Sequence, residues 1–153
     1  MNLLLIRHAT AEAHGLPGGD FVRHLVEKGH EQARRVGRFL SKHDLIPDVL
    51  LTSPVIRAQE TADLLAVEGC PKPITEPWLA CGMRAEQALT ELRAYAEFPR
   101  VAIVGHEPDF SALVEHLIGA LPYSIQVKKT SLISLELSRH PQLNFSIPCK
   151  FLH

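Results

Sequence analysis

The chain has 153 residues, 46% of them hydrophobic and 22% charged, and a net charge of −1 with its nine histidines counted neutral. That length suits a single domain (1–153) that buries roughly two-thirds of the surface of its unfolded form, and the composition excludes a disordered chain, a collagen-like repeat and a coiled coil as the main architecture. No overall positive field recruits nucleic acid or anionic lipid, so any anion site must be local.

Residues 3–6, LLLI, form a continuous apolar run, the mark of a strand buried on both faces, and they empty straight into Arg7-His8. The run is too short for a signal-peptide core or a membrane span. A loop with Gly15, Pro17, Gly18 and Gly19 follows, and then a helix whose inward face reads Leu25, Gly29, Ala33, Val36, Leu40. The second strand, 49–51, gives way to Thr52-Ser53-Pro54. Here Ser53 is expected to cap a helix with Pro54 at its first position and Ala58, Ala62 and Leu65 as its inner stripe.

A further helix falls within 84–97. The third strand, 101–104, ends at Gly105-His106, and Pro108 suits the first position of a helix that buries Phe110, Leu113, Val114, Leu117 and Ile118 before Gly119 and Pro122 end it. Residues 131–137 and 143–147 read as two closing strands, antiparallel and joined around Pro141. Cys70, Cys81 and Cys149 are odd in number, far apart and without C-x-x-C spacing, which argues against a disulfide framework or a structural zinc site and for a reducing, cytoplasmic setting.

Strands alternating with helices imply a three-layer α/β fold, a mostly parallel central sheet with helices on both faces. Ligands of such sheets bind just outside the carboxyl ends of the strands, which brings Arg7, His8 and His106 to one rim, with Arg57 one turn into the second helix. Two guanidiniums offer forked donors that match phosphate oxygens, and helix amino ends add attraction for an anion. Nearby positive charge disfavours protonation of His8 and leaves a ring lone pair free to attack phosphorus, giving a covalent phosphohistidine. His106 and the arginines would hold the charge spread over the equatorial oxygens, with no metal and no cofactor required.

The blocks LLLIRHA, SPVIRAQETA and VAIVGHEP resemble, in order, the three signatures of the histidine phosphatase superfamily, also called phosphoglycerate mutase-like. The short chain and the segment DFVRHLVEKG, similar to D-x-x-R-x-L-x-x-x-G, resemble the SixA branch of phosphohistidine phosphatases. The resemblance fades after about Gly119. It implies His8 as phosphoryl acceptor, Arg7 and Arg57 as phosphate clamps, His106 as the second pocket imidazole, and Arg23 as an arginine from the first loop. It also implies a phosphorylated protein as partner, such as a phosphotransfer domain or a phosphocarrier; the charge and the short apolar run point away from nucleic acid and membrane, and a monomer is expected.

Two departures stand out. Ala9 replaces the glycine of R-H-G, with little consequence expected. The region ITEPWLACGM, where relatives acting on alkyl phosphates carry a proton-donating carboxylate, offers Glu76 as the nearest acid and Trp78 in the site-facing place. An alkoxide leaves badly without an acid, whereas the imidazole of a phosphohistidine leaves readily, so this pattern suits a P–N substrate. The rivals are a small-molecule phosphate monoesterase with Glu76 as acid, a non-catalytic phosphate-binding module, and a metal-binding histidine cluster.

Blander readings set limits on other residues. Arg57 could pair with Glu60 on the helix surface. Arg34, Arg35 and Arg38 read as a solvated helix face, His14, His24, His30, His43 and His116 as surface or loop residues, and Glu12 receives no role. HEPDF at 106–110 lacks the second histidine of a zinc helix. Substrate preference is assigned to the loop 9–21 and the surroundings of Trp78.

Overall fold

The computed structural model describes residues 1–153. Its centre is one six-stranded sheet in the order β3-β2-β4-β1-β5-β6. The strands are β1 (Asn2–Arg7), β2 (Val49–Thr52), β3 (Ile74–Thr75), β4 (Arg100–Gly105), β5 (Leu132–Glu136) and β6 (Gln142–Ile147). β1, β2, β3 and β4 run parallel, and β5 and β6 complete one side antiparallel. The helices are α1 (Glu27–Lys42), α2 (Ile56–Val67), α3 (Ala85–Leu92) and α4 (Asp109–Ile118).

The opening apolar run is explained by the two faces it serves. Successive strand residues point to opposite sides of a sheet, so Leu3 and Leu5 join one core with Leu92 of α3 and Phe110, Leu113 and Val114 of α4. Leu4 and Ile6 join the other, with Val36 and Leu40 of α1 and Ala58, Ala62 and Leu65 of α2. All four are fully buried, each contributing about 1.5–3 kcal/mol of transfer free energy. An alternating sequence would have exposed one face; a continuous one demands helices on both.

Three local expectations shift. Ser53 does not cap α2 from the position before Pro54: the helix begins at Ile56 after Val55, and Ser53 Oγ accepts from the Val55 N–H at 3.2 Å. Pro108 sits at the N-cap of α4, one residue before its first turn. Leu25 lies ahead of α1, where it bridges to Ala11, because the helix starts only at Glu27. The helix expected within 84–97 is present there, as α3 followed by a 3-10 turn, Arg93–Tyr95. β3 was not foreseen; two exposed residues at a sheet edge carry no periodicity to read.

α1 approaches the segment after β1 very closely. A Cβ on Gly29 would lie 2.1 Å from the Thr10 carbonyl oxygen, so only glycine lets the two backbones meet. That contact fixes the chain as it leaves the sheet at His8.

Candidate active site

Strand register assembles the site. Arg7 is paired with Gly105 and Thr52 with Val104, so the residues that follow, His8, His106 and Ser53, leave the sheet side by side. Backbone bonds continue the ladder past the strands: the His8 N–H donates to Gly105 O and the Ser53 N–H to Val104 O, both at 3.0 Å. The rings of His8 and His106 lie 5.2 Å apart between centroids.

These two histidines line a cavity of about 370 Å³ with Arg7, Arg23 and Arg57, so the five residues expected to bind or transfer the phosphoryl group reach one space. Four of the five are almost wholly buried: His8 6%, Arg23 6%, Arg57 4% and His106 2% exposed. Each is held by a specific partner. His8 Nδ1 lies 2.8 Å from its neighbour's carbonyl, Ala9 O, which accepts only if Nδ1 carries the proton. Nε2 is then the unprotonated nitrogen, and it accepts from Arg57 Nε at 3.3 Å.

Ala9 is fully buried, and its N–H donates to Thr61 Oγ1, whose hydroxyl donates to Arg57 O. One threonine thus ties the chain beside His8 to the helix turn carrying Arg57. Arg7 NH1 donates to Val127 O at 2.8 Å, while its buried Nε finds no protein acceptor. His106 Nε2 is 2.8 Å from Ser53 Oγ, and its Nδ1 is likewise buried without a partner. Orphaned polar atoms of this kind are uncommon in folded interiors, and both belong to residues lining the cavity.

Burial is the main force on both rings. It pushes the His8 pKa down to about 3; the Ala9 contact opposes this, and the charges of His106, Arg57 and Arg7 lower it further. His106 is pushed down to about 4, again first by burial and then by Arg57, with Asp20 opposing and Arg7 and Arg23 adding to the fall. The expectation that neighbouring cations keep His8 neutral therefore has the right direction and the wrong leading cause.

The cavity also holds side chains that pattern reading missed, chief among them Asp20, Glu107, Cys81 and Lys129. Asp20 binds both loop-facing guanidiniums: Oδ2 accepts from Arg57 NH2 at 3.1 Å, Oδ1 from Arg23 Nε at 2.9 Å, and its carbonyl from Arg57 NH1 at 2.9 Å. Desolvation alone would raise the Asp20 carboxyl, but Arg57 and Arg23 hold it below its ordinary value. The available signal was its i,i+3 spacing to Arg23 in DFVR. Cys81 sits 3.7 Å from Arg57 NH2, on a loop held by Asp109, whose Oδ2 accepts from the Gly82 and Met83 N–H groups.

Several side-chain assignments change. Trp78 is buried in the core against Leu79 and Met83 and does not line the cavity. Glu76 accepts a hydrogen bond from the Tyr95 hydroxyl, away from the cavity. Glu60 pairs with His24 and the Leu25 N–H, leaving Arg57 to the site. His14, expected on the surface, is exposed but stands at the cavity rim 3.3 Å from Asp20. Glu12 has a structural part: its carbonyl accepts from Arg23 NH1 and its carboxylate from the His24 N–H. No group of three or more His, Cys, Asp or Glu is arranged to hold a metal ion.

Residues 3–76 match the model of the histidine phosphatase superfamily (branch 1). An uncharacterized protein of Picosynechococcus sp. is 30% identical over 139 residues, 88% of this chain and 84% of that one. The chain belongs to the histidine phosphatase superfamily. Superfamily members are phosphatases or mutases. The 2,3-bisphosphoglycerate-dependent phosphoglycerate mutase of Rhodococcus opacus is 42% identical over 64 residues, 40% of this chain but only 26% of the mutase. The solved structure of the protein histidine phosphatase SixA complexed with tungstate superposes with a TM-score of 0.90 over 100% of both chains at 21% identity, which establishes the superfamily fold. His106 lies beyond the residues matched to the superfamily model and is brought to the site by the end of β4.

Proposed function

We propose that this chain is a phosphohistidine phosphatase that acts on a partner protein by covalent transfer through His8. The observation that carries the reading is the single fixed tautomer of a buried, uncharged His8, whose Nε2 faces Arg57 inside a cavity shared with Arg7, Arg23 and His106.

In the first displacement the phosphorus–nitrogen bond of the substrate breaks as a bond forms to His8 Nε2. The substrate ring, protonated on its other nitrogen, departs as neutral imidazole and needs no separate acid. Water then attacks phosphorus, the bond to His8 breaks, and inorganic phosphate leaves. Arg7, Arg23 and Arg57 bind the transferring oxygens, a match for forked donors. Ser53 Oγ, which accepts from Val55, has His106 Nε2 as the acceptor in reach of its own proton; in that tautomer Nδ1 of His106 carries a proton for an oxyanion. Asp20 is the internal acceptor that an entering phosphoryl group relieves.

The rim supports a protein substrate, since His14 and Lys129 are exposed at the mouth. The same reading places the chain in the cytoplasm, where its three cysteines stay free thiols. A second reading, ester hydrolysis, is favoured by one observation: Glu107, unlike Glu76, lines the cavity, and unlike Asp20 it is not hydrogen-bonded to Arg23 or Arg57, so it takes the place of Glu76 as candidate acid. Its carboxylate already accepts from the Ser111 N–H.

The test is incubation with a phosphohistidine-bearing phosphotransfer protein and, in parallel, a panel of sugar phosphates. The expected result is acid-labile phosphate on the enzyme, absent in His8→Ala, with P–N turnover retained, though not at the wild-type rate, in Glu107→Gln. Faster, Glu107-dependent turnover of the esters refutes the proposal.

A further inference from the structure

Beside the catalytic cavity lies a larger one, about 650 Å³, whose charged lining is Lys28, Arg35, Lys128, Lys129 and Lys150 with Glu31 as the one acid. In a chain of net charge −1 this is a marked concentration of positive charge. Lys129 lines both cavities, so the groove borders the phosphate site.

The five cations come from three places that the fold holds together. Lys28 and Arg35 are seven residues apart on α1 and therefore share a face. Lys128 and Lys129 stand on the loop before β5, where the Thr130 N–H donates to Arg7 O and the Ser131 N–H to Lys128 O, both at 3.0 Å. Lys150 is carried by the C-terminal 3-10 turn, Cys149–Phe151, whose buried cysteine packs against α1 with Sγ 3.8 Å from Gln32 O.

Charge pairing on α1 separates this face from its neighbour. Arg34 and Arg38 reach Glu68, and Arg38 also takes Glu31 at 2.7 Å, so the groove's single acid is already committed elsewhere. None of the five groove cations forms an ion pair with a carboxylate of the chain. Lys129 is held below its ordinary pKa by partial burial and by Arg7, Arg23, Lys28 and Arg57, cations of both the groove and the phosphate site.

We infer that this groove is the docking surface for the substrate protein, and that it receives an acidic segment flanking the phosphorylated residue. The inference rests on the reading of the chain as a protein phosphatase. Lysine heads on long stems, spread over a wide groove, suit several separated carboxylates; a single compact phosphate is better matched by the arginine forks next door. Complementary charge of this kind speeds encounter and sets orientation.

The test uses the full chain and two short peptides of one design, one with Glu and one with Gln around a central histidine. Fluorescence anisotropy with the unphosphorylated peptides reads docking alone. The Glu peptide is expected to bind at least about tenfold more tightly at low salt, and Lys28→Glu/Lys150→Glu to remove that preference, as reversal of two exposed charges implies. His8→Ala is expected to keep it. Both lysines are exposed and outside the phosphate site, and the neutral pair Lys28→Gln/Lys150→Gln guards against a folding artefact by losing part of the preference.

Equal binding of the two peptides, binding unchanged in the reversed variant, or tighter binding of a single-stranded oligonucleotide of the same charge overturns the groove assignment. The phosphorylated pair separates the two ideas. Turnover of both peptides with equal KM refutes the groove and leaves the phosphatase; selective binding of the Glu peptide with turnover of neither refutes the phosphatase and leaves the groove.

Discussion

Lowering the pH from about 7 to about 5 is expected to cost this fold about 4 kcal/mol through two side chains alone. His8 and His106 have folded pKa values of about 3 and about 4, both below the free imidazole value of about 6.5. Above that value neither the folded nor the unfolded chain binds these protons, and the shifts contribute nothing. Below it the unfolded chain takes up protons that the folded chain refuses, so stability falls, and keeps falling until the folded values are reached. At about pH 5 each ring accounts for about 2 kcal/mol, against a total of about 5–15 kcal/mol for an ordinary domain. Asp20, lowered from the carboxylate range, begins to lose its contribution only below that window. The assay is urea denaturation at the two pH values for the wild type and for His8→Gln/His106→Gln. The double variant, with nothing to protonate at these positions, should lose much less on acidification. An equal loss in both proteins, or no loss in the wild type, refutes the claim that these rings are buried in their neutral form.

Two further outcomes follow from close packing around the same residues. Gly29→Ala places a methyl 2.1 Å from the Thr10 carbonyl, backbone against backbone, and should destabilise the fold by about 3 kcal/mol or more, read as a lower midpoint in the same denaturation. Ser53→Ala removes the partner of both the Val55 N–H and His106 Nε2; it should cost about 1–3 kcal/mol and lower kcat more than KM, because His106 stays in place without a fixed tautomer.

The sheet and its site were legible to different depths. Strands such as 3–6 and 101–104 are buried on both faces, so their composition alone names the layers around them, and their abrupt polar ends mark where the chain leaves the sheet. Arg7, His8 and His106 lie next to those ends and could be placed by topology. Asp20 could not, because its role depends on the path of an exposed loop that returns to Arg57 across 37 positions. Trp78 was misread for a related reason: an aromatic after a two-residue edge strand can face core or cavity with equal ease, and the packing of Leu79 and Met83 decides it. The leading cause of the histidine shifts was also hidden, since neighbouring charges can be counted along a sequence but burial depends on the finished cavity.

The charges lining the cavity explain why both rings stay neutral. Arg7, Arg23, Arg57 and Lys129 face Asp20 and Glu107, leaving two positive charges in excess, which matches a phosphoryl dianion. A proton on either histidine would unbalance that match and would cost burial as well, so desolvation and charge select the same state. The same neutrality leaves Nε2 of His8 as a nucleophile over the whole neutral range. A site that relied on cations alone to suppress protonation would lose its nucleophile whenever Asp20 or an entering anion screened them. Burial keeps acting on the lone pair while the anion is bound, which is when the transfer needs it.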